Sequence, residues 1–168
     1  TTFGVSAYQV QFGPGEILTP GDEADLLVAF NPAAFVTNIS FLRTGGTVVI
    51  DESAFNERNF VKAGLVSNPL GETEHRPYNV ITADISQRTL EAVAGFGLGR
   101  KEALQAKNFW ALGLSLWLCG QPRVAAAAWI ERRFANDPAL RGANAAALAA
   151  GHAYGETMEL ALPEATDL

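Results

Sequence analysis

Apolar and polar residues alternate near the start of the chain, along Val5–Phe12. Tyr8, Val10 and Phe12 recur at every second position, with glutamines between them. Because successive side chains of a strand point to opposite faces, this spacing predicts a strand with one covered face. The turn-forming run Gly13-Pro14-Gly15 predicts where that strand ends.

Three later segments are apolar without alternation, and they are short. They are Asp25–Phe30, Thr47–Asp51 and Asn79–Asp84. Continuous apolar runs of this length are typical of strands that both faces of a parallel sheet bury. We therefore expect three such strands in the first half of the chain.

Helical signals follow each of these strands. After the first, Asn31 and Pro32 form an N-cap followed by a proline at the first helical position, and the helix is predicted to stop at Gly45-Gly46. Its apolar positions, at helical spacing, are Phe35, Ile39 and Leu42.

The second and third helices are predicted from serine caps and glycine stops. Ser53 is expected to cap a helix that ends at Gly64, and Ser86 one that Gly95 closes. Between them, Val66–Tyr78 contains prolines, a glycine and mixed charges, which predicts an excursion loop.

Beyond Gly99 the pattern becomes wholly helical, with predicted helices over Arg100–Cys119, Pro122–Asn136 and Pro138–Tyr154. Alternating strands and helices predict an α/β fold, a three-layer Rossmann-like arrangement around a mostly parallel sheet. We expect one domain over 1–168, with βα units in 1–98, a helical extension in 99–156 and an exit linker in 157–168.

Composition narrows the functional classes. The chain has 168 residues, 48% of them hydrophobic, and 12 Lys+Arg against 18 Asp+Glu give a net charge of -6. A net anion disfavours nucleic acid and anionic membranes as partners. The single cysteine, Cys119, is expected to be a buried inert thiol, which fits a reducing compartment.

The residues offer no complete catalytic or metal site. Gly95, Gly97 and Gly99 follow a predicted helix, so a helix–helix connection is favoured over a phosphate-binding loop. His75 and His152 are far apart and lack a second ligand at metal spacing. We therefore expect no catalytic residue and no metal site within this chain.

Polar residues at the predicted strand ends are the better candidates. Asn31, Asp51, Glu52 and Asp84 fall where the strands end, the edge at which open α/β sheets bind ligands. The alternative is that they cap helices and satisfy loop backbone. The pair Lys107-Asn108 interrupts an apolar helix and either faces solvent or reaches a partner or a bound anion.

Five segments, in order and spanning essentially the whole chain, resemble the α subunits of 2-oxoacid:ferredoxin oxidoreductases. The best match is the 2-oxoglutarate type, in which a γ domain is fused ahead of a thiamine-binding α domain. The segments are TTFGVSAYQVQFG (1–13), PGDEADLLVAFNPAA (20–34), LRTGGTVVIDESAFNERNFVKAG (42–64), KNFWALGLSLWL (107–118) and YGETMEL (154–160).

The resemblance implies a γ-type domain of a cytoplasmic enzyme that decarboxylates a 2-oxoacid, joins the acyl group to coenzyme A and reduces ferredoxin. It implies thiamine diphosphate, Mg²⁺, a [4Fe-4S] cluster and coenzyme A for the assembled enzyme, none bound wholly by this chain. The implied partners are the thiamine-binding α domain, a β subunit with the iron–sulfur cluster, and ferredoxin. The family's glycine-rich first βα unit is missing before residue 1, so the chain is expected to be an N-terminally truncated, inactive piece.

Within that picture the expected coenzyme A contacts are Phe3, Gly4, Ser6, Asn31, Lys107 and Asn108. Two other classes stay open: a stand-alone nucleotide- or coenzyme A-binding module without catalysis, and a structural subunit whose Ala-rich helices form an oligomer interface. A thermal shift with coenzyme A would favour the first of these, and concentration-dependent assembly alone the second.

Overall fold

The computed structural model describes residues 5–12, 21–71 and 77–163. Three strands and seven helices follow one another in this part of the chain. The strands are β1 (Ala24–Ala29), β2 (Leu42–Asp51) and β3 (Asn79–Ala83). The helices are α1 (Pro32–Asn38), α2 (Glu57–Lys62), α3 (Ile85–Val93), α4 (Arg100–Ala103), α5 (Lys107–Leu118), α6 (Val124–Arg133) and α7 (Pro138–Thr157).

The chain divides into two compact units, one comprising residues 1–83 with 163–168 and the other residues 84–162. The division places α3 with the later helices, whereas the sequence pattern groups it with the βα units of 1–98. The single-domain organisation over 1–168 stays a prediction.

The first unit contains a parallel sheet in the order β1-β2-β3. Leu27 pairs with Val48, and Val49 with Ile81, so the most apolar stretches of the strands lie side by side. A buried cluster of apolar side chains packs around this sheet: Ala29, Phe35, Val48, Ile50 and Leu70. The predicted α/β, Rossmann-like class with a mostly parallel sheet is confirmed.

The second unit is helical, and α5 against α7 forms its main contact. Glycines allow the two backbones to meet: a Cβ on Gly113 would lie 2.9 Å from the His152 backbone nitrogen, and one on Gly151 would collide with the Trp110 carbonyl oxygen. The tryptophan side chain itself is 1% exposed. The predicted C-terminal helical extension is therefore present, and small residues determine how closely it packs.

The predicted strand over Val5–Phe12 is wrong, because residues 5–12 form neither helix nor strand. Tyr8 is 92% exposed, so the alternating apolar face covers nothing in the described chain. The glutamines of this segment instead bond to Gly21: Gln9 donates to its carbonyl and Gln11 accepts from its amide. The turn predicted at Gly13-Pro14-Gly15 lies outside the described residues.

The helix predicted to reach Gly45-Gly46 ends earlier, at Asn38. A short 3-10 turn over 39–41 follows, and Leu42 already belongs to β2. The spacing of Phe35, Ile39 and Leu42 fits a helix, but Leu42 belongs to β2 and packs against the core from that strand. Asn31 and Pro32 begin α1 as predicted.

Both predicted serine caps are wrong. Asn56 caps α2 by accepting from the Asn59 amide, and Asp84 caps α3 by accepting from Gln87. Ser53 lies in a 3-10 turn before α2, and Ser86 lies inside α3. Each correct cap is a better-placed carboxylate or amide within three residues of the serine. The predicted stop at Gly64 holds, with φ of 73° just past the end of α2.

The later helices differ from the predictions mainly at their beginnings. The helix predicted over Arg100–Cys119 is divided into α4 and α5 by a 3-10 turn at 104–106. Helix α6 begins two residues after Pro122, whereas α7 begins at Pro138 as predicted. Cys119 is half-buried at the end of α5, so the expectation of a fully buried thiol is wrong.

Candidate functional site

The carboxyl edge of the sheet is where the strand-end residues were expected to gather. After β1, the Asn31 side chain accepts a hydrogen bond of 2.8 Å from the Ala34 amide and caps α1. The bond pairs the Oδ1 atom with one of the amides at the helix start that have no partner within the helix. The capping alternative is therefore confirmed for Asn31, and its contact with coenzyme A stays a prediction.

The end of β2 holds a fully buried carboxylate. Asp51 is 0% exposed, and the Ser53 hydroxyl donates to its Oδ1 at 3.0 Å. Glu52 and Ser53 are exposed in the 3-10 turn that follows. A buried carboxylate needs such donors to offset its lost hydration. The pair Asp51–Ser53 thus anchors the turn at this edge of the sheet.

The residue after β3 also has a structural task. Asp84 is the first residue of the second unit. Its side chain accepts a hydrogen bond of 2.9 Å from the Gln87 amide at the start of α3. Its carboxylate lies at the positive end of a helix, where negative charge is stabilising. Capping thus accounts for one oxygen of Asp84.

The pair Lys107-Asn108 forms the first turn of α5 and does not interrupt a helix. Lys107 is half-buried and Asn108 is exposed. The 3-10 turn over 104–106 leads directly into α5, and the Lys107 amide donates to the Leu104 carbonyl. The side-chain cation of Lys107 is chemically suited to pair with an anion such as a phosphate.

The remaining predicted contacts lie at the start of the chain. Phe3 and Gly4 lie outside the described residues, and Ser6 is exposed on the extended segment before the sheet. Ser6 and Asn31 belong to the first unit, whereas Lys107 and Asn108 belong to the second.

No group of three or more His, Cys, Asp or Glu in the described ranges could hold a metal ion. His152 packs edge-on against the Trp117 ring, with centroids 5.3 Å apart, and His75 lies outside those ranges.

The three glycines from Gly95 to Gly99 connect α3 to α4, as predicted. No helix in the described residues is long and apolar enough to cross a membrane.

Two features of these surfaces were not predicted from the sequence. Asp51 and Ser53 were predicted in separate roles, although their spacing of two residues after a buried strand permits the bond between them. No individual residue of α6 was predicted to line a functional surface. The signal in the sequence is that apolar residues recur there at helical spacing.

Comparison with known proteins decides the family. The chain matches the pyruvate ferredoxin/flavodoxin oxidoreductase family over residues 2–154. It belongs to this family. The ordered segments that resembled a 2-oxoacid:ferredoxin oxidoreductase domain are thereby confirmed.

A curated relative of this oxidoreductase domain is the 2-oxoglutarate oxidoreductase subunit KorA of Mycobacterium tuberculosis (strain ATCC 25618 / H37Rv). The two are 44% identical over 156 residues, which cover 93% of this chain and 24% of KorA. The chain thus spans about a quarter of the length of this relative. No solved structure matches it.

Proposed function

We propose that this chain is the γ-type part of a cytoplasmic 2-oxoacid:ferredoxin oxidoreductase that acts on 2-oxoglutarate. The reaction releases CO₂, joins the remaining acyl group to the coenzyme A sulfur and passes two electrons to ferredoxin. The observation that carries the proposal is the 44% identity to a 2-oxoglutarate oxidoreductase subunit across nearly the whole chain.

The reactive groups of such an enzyme are assigned to polypeptide beyond this chain. In that enzyme, thiamine diphosphate with Mg²⁺ would supply the nucleophilic carbon, and an iron–sulfur cluster would carry the electrons. A cluster needs several thiolates, whereas the chain has one cysteine. The described residues also lack a carboxylate and histidine group for Mg²⁺. These residues do not fit the implied groups, so an α domain and a β subunit would hold them.

The role proposed for this chain is to support the neighbouring polypeptide and to enclose the site of the reaction. A rigid parallel sheet and the close α5–α7 pair are suited to bracing neighbouring polypeptide. The first turn of α5 supplies a cation, which matches the phosphates of coenzyme A. In this proposal Lys107 and Asn108 line the coenzyme A side.

The substrate is tested in the assembled enzyme, meaning this chain in its full-length polypeptide together with the β subunit. Reduction of a viologen dye is measured with coenzyme A and either 2-oxoglutarate or pyruvate. The proposal expects kcat/KM to be higher for 2-oxoglutarate. A higher kcat/KM for pyruvate would reject the substrate, and no coenzyme A-dependent reduction with any 2-oxoacid would reject the reaction.

The coenzyme A contact predicts a specific kinetic change. Lys107→Ala in the assembled enzyme should raise the KM for coenzyme A about tenfold, because a charge-assisted bond contributes about 1.5–3 kcal/mol. The kcat and the KM for 2-oxoglutarate should change little, and Lys107→Arg should restore most of the loss.

Lys101→Ala is the matched control, since this exposed lysine lies on the neighbouring helix α4. It should leave the KM for coenzyme A within about twofold, as expected for a surface charge with no partner. Equal KM values for Lys107→Ala, Asn108→Ala and the control would remove this pair from the coenzyme A site.

A further inference from the structure

Helix α6 carries an apolar stripe on the side that faces away from the protein. The α6 surface consists of Val124, Ala125, Ala128, Trp129 and Arg132, all of them exposed. At 100° per residue these positions share one broad arc, and the fully buried Ile130 lies on the other side of the helix. Solvent-facing arcs of helices are usually polar, so this composition is typical of a surface that another element covers.

The two alanines determine what can lie on this surface. Ala125 and Ala128 are one turn apart in the middle of the stripe, and neither side chain extends beyond Cβ. Small residues at this spacing allow a second helix to approach closely, with larger side chains packing at the sides. Val124, 73% exposed, and Trp129 supply such larger side chains.

Trp129 is held in place although it is 47% exposed. Its ring lies 6.1 Å from that of Phe109 and 6.2 Å from that of Phe134, measured between centroids. The two phenylalanines also contact one another edge-on at 6.1 Å. An exposed tryptophan whose ring is already fixed loses little conformational entropy on binding. Such residues are typical anchors of protein interfaces.

Two arginines lie along this stripe, whereas the acidic Glu131 beside it pairs with Arg141 at 3.5 Å. Arg123 precedes α6 and Arg132 lies in its last turn, and neither has an ion-pair partner among the described residues. The start of α6 also lacks a side-chain cap. Carboxylates on an incoming surface would complement both arginines and the helix start.

The same charges disfavour a second copy of this chain as the occupant. A two-fold contact through α6 would place the arginines of one copy near those of the other, together with Arg133. Like charges that face one another across an interface disfavour association. A partner with the opposite charge fits better.

We propose that the α6 surface docks a helix of another polypeptide region of the assembled enzyme, one with an apolar stripe flanked by carboxylates. The partner class rests on the proposed function, in which this chain works within a larger enzyme. It is also supported by length, since the matched region is 24% of the KorA relative and most of that polypeptide lies beyond it.

Oxidation of tryptophans by hydroxyl radicals, read by mass spectrometry, tests the docking directly. Trp129 should react several-fold more slowly in the assembled enzyme than in the isolated chain. Trp110, which is 1% exposed, is the folding control and should react slowly in both. If Trp110 is protected in both samples and Trp129 reacts equally fast in both, the proposal is wrong.

Charge reversal tests the chemistry of the partner. Arg132→Glu should weaken assembly about tenfold in Kd at low salt, with a smaller loss at high salt, while Arg132→Lys should assemble normally. Arg58→Glu, at an exposed arginine of α2, is the matched control and should assemble like the unaltered enzyme. Equal Kd values for the two reversals, or a concentration-dependent dimer of the isolated chain that slows the oxidation of Trp129, would overturn the acidic partner.

The outcomes separate this proposal from the proposed function. An assembled enzyme that oxidises 2-oxoglutarate while Trp129 stays reactive rejects the docking alone. A complex that protects Trp129 but reduces no dye with any 2-oxoacid rejects the activity and keeps the surface.

Discussion

At the residue scale, single glycines decide how closely α5 and α7 pack. Gly151 lies beneath the Trp110 carbonyl, and Gly155 lies beneath the Trp117 ring, so neither position has room for a Cβ. Backbone atoms cannot move aside as the end of a flexible side chain can. The packing of α5 against α7 in the second unit therefore depends on glycines.

Gly151→Ala should lower the free energy of unfolding, although alanine is the better helix former by about 1 kcal/mol. The collision with the Trp110 carbonyl outweighs that gain, and overpacking costs about 1–3 kcal/mol or more. Urea denaturation measures the difference. Gly95→Ala, where nothing lies within 4 Å of the added methyl, is the control and should change stability by less than about 1 kcal/mol. Equal stabilities for the two variants would contradict the close approach.

The cap of α7 gives a second residue-scale prediction. The Asp137 carboxylate accepts a hydrogen bond of 3.0 Å from the Leu140 amide. Asp137→Ala should therefore lower the free energy of unfolding by about 1 kcal/mol. Asp137→Asn retains an acceptor and should lose less than half of that. Thermal denaturation of both variants provides the comparison, and an alanine variant as stable as the asparagine variant would refute the cap.

The caps also show how far sequence reasoning extends. Asn31-Pro32 was predicted correctly, because a polar acceptor and a proline at the next position form a purely local signal. Ser53 and Ser86 were wrong, because better acceptors lay two or three residues away. Which acceptor is used depends on where the preceding strand ends.

At the element scale, β2 is longer than its apolar run. The strand begins at Leu42 and includes Gly45, whose φ of 76° favours glycine. Its pairing with β1 shifts register between Ala24 and Leu26. Two bonds hold this irregular part: the Gly45 amide donates to Pro77, and Asn79 donates to the Gly45 carbonyl. Glycine pairs usually signal a helix stop, so this irregular part of the strand could not be predicted from local pattern.

Gly45→Ala should therefore destabilise the protein by about 1–2 kcal/mol, because a left-handed backbone is unfavourable for alanine. Gly99→Ala is a suitable control, since Gly99 has an ordinary φ of -63° and open space around it. Chemical denaturation of both variants tests this, and a Gly45→Ala protein as stable as the control would argue against the irregular strand.

At the scale of the whole molecule, the fold class and the family were predictable, whereas the functional surfaces were not. Parallel strands follow from short apolar runs, and the family from segments in fixed order. The exposed face of Tyr8, Val10 and Phe12 was predicted to be a covered strand, because alternation indicates that a face is covered but not by what. The α6 surface presents the same problem.

The central claim is that this chain supports a reaction whose reactive groups belong to adjoining polypeptide. Coenzyme A-dependent dye reduction by 2-oxoglutarate, measured on the purified chain alone and on the assembled enzyme, tests it most directly. We predict turnover only in the assembled enzyme and none above background in the isolated chain. Steady formation of an acyl thioester by the isolated chain would contradict the account.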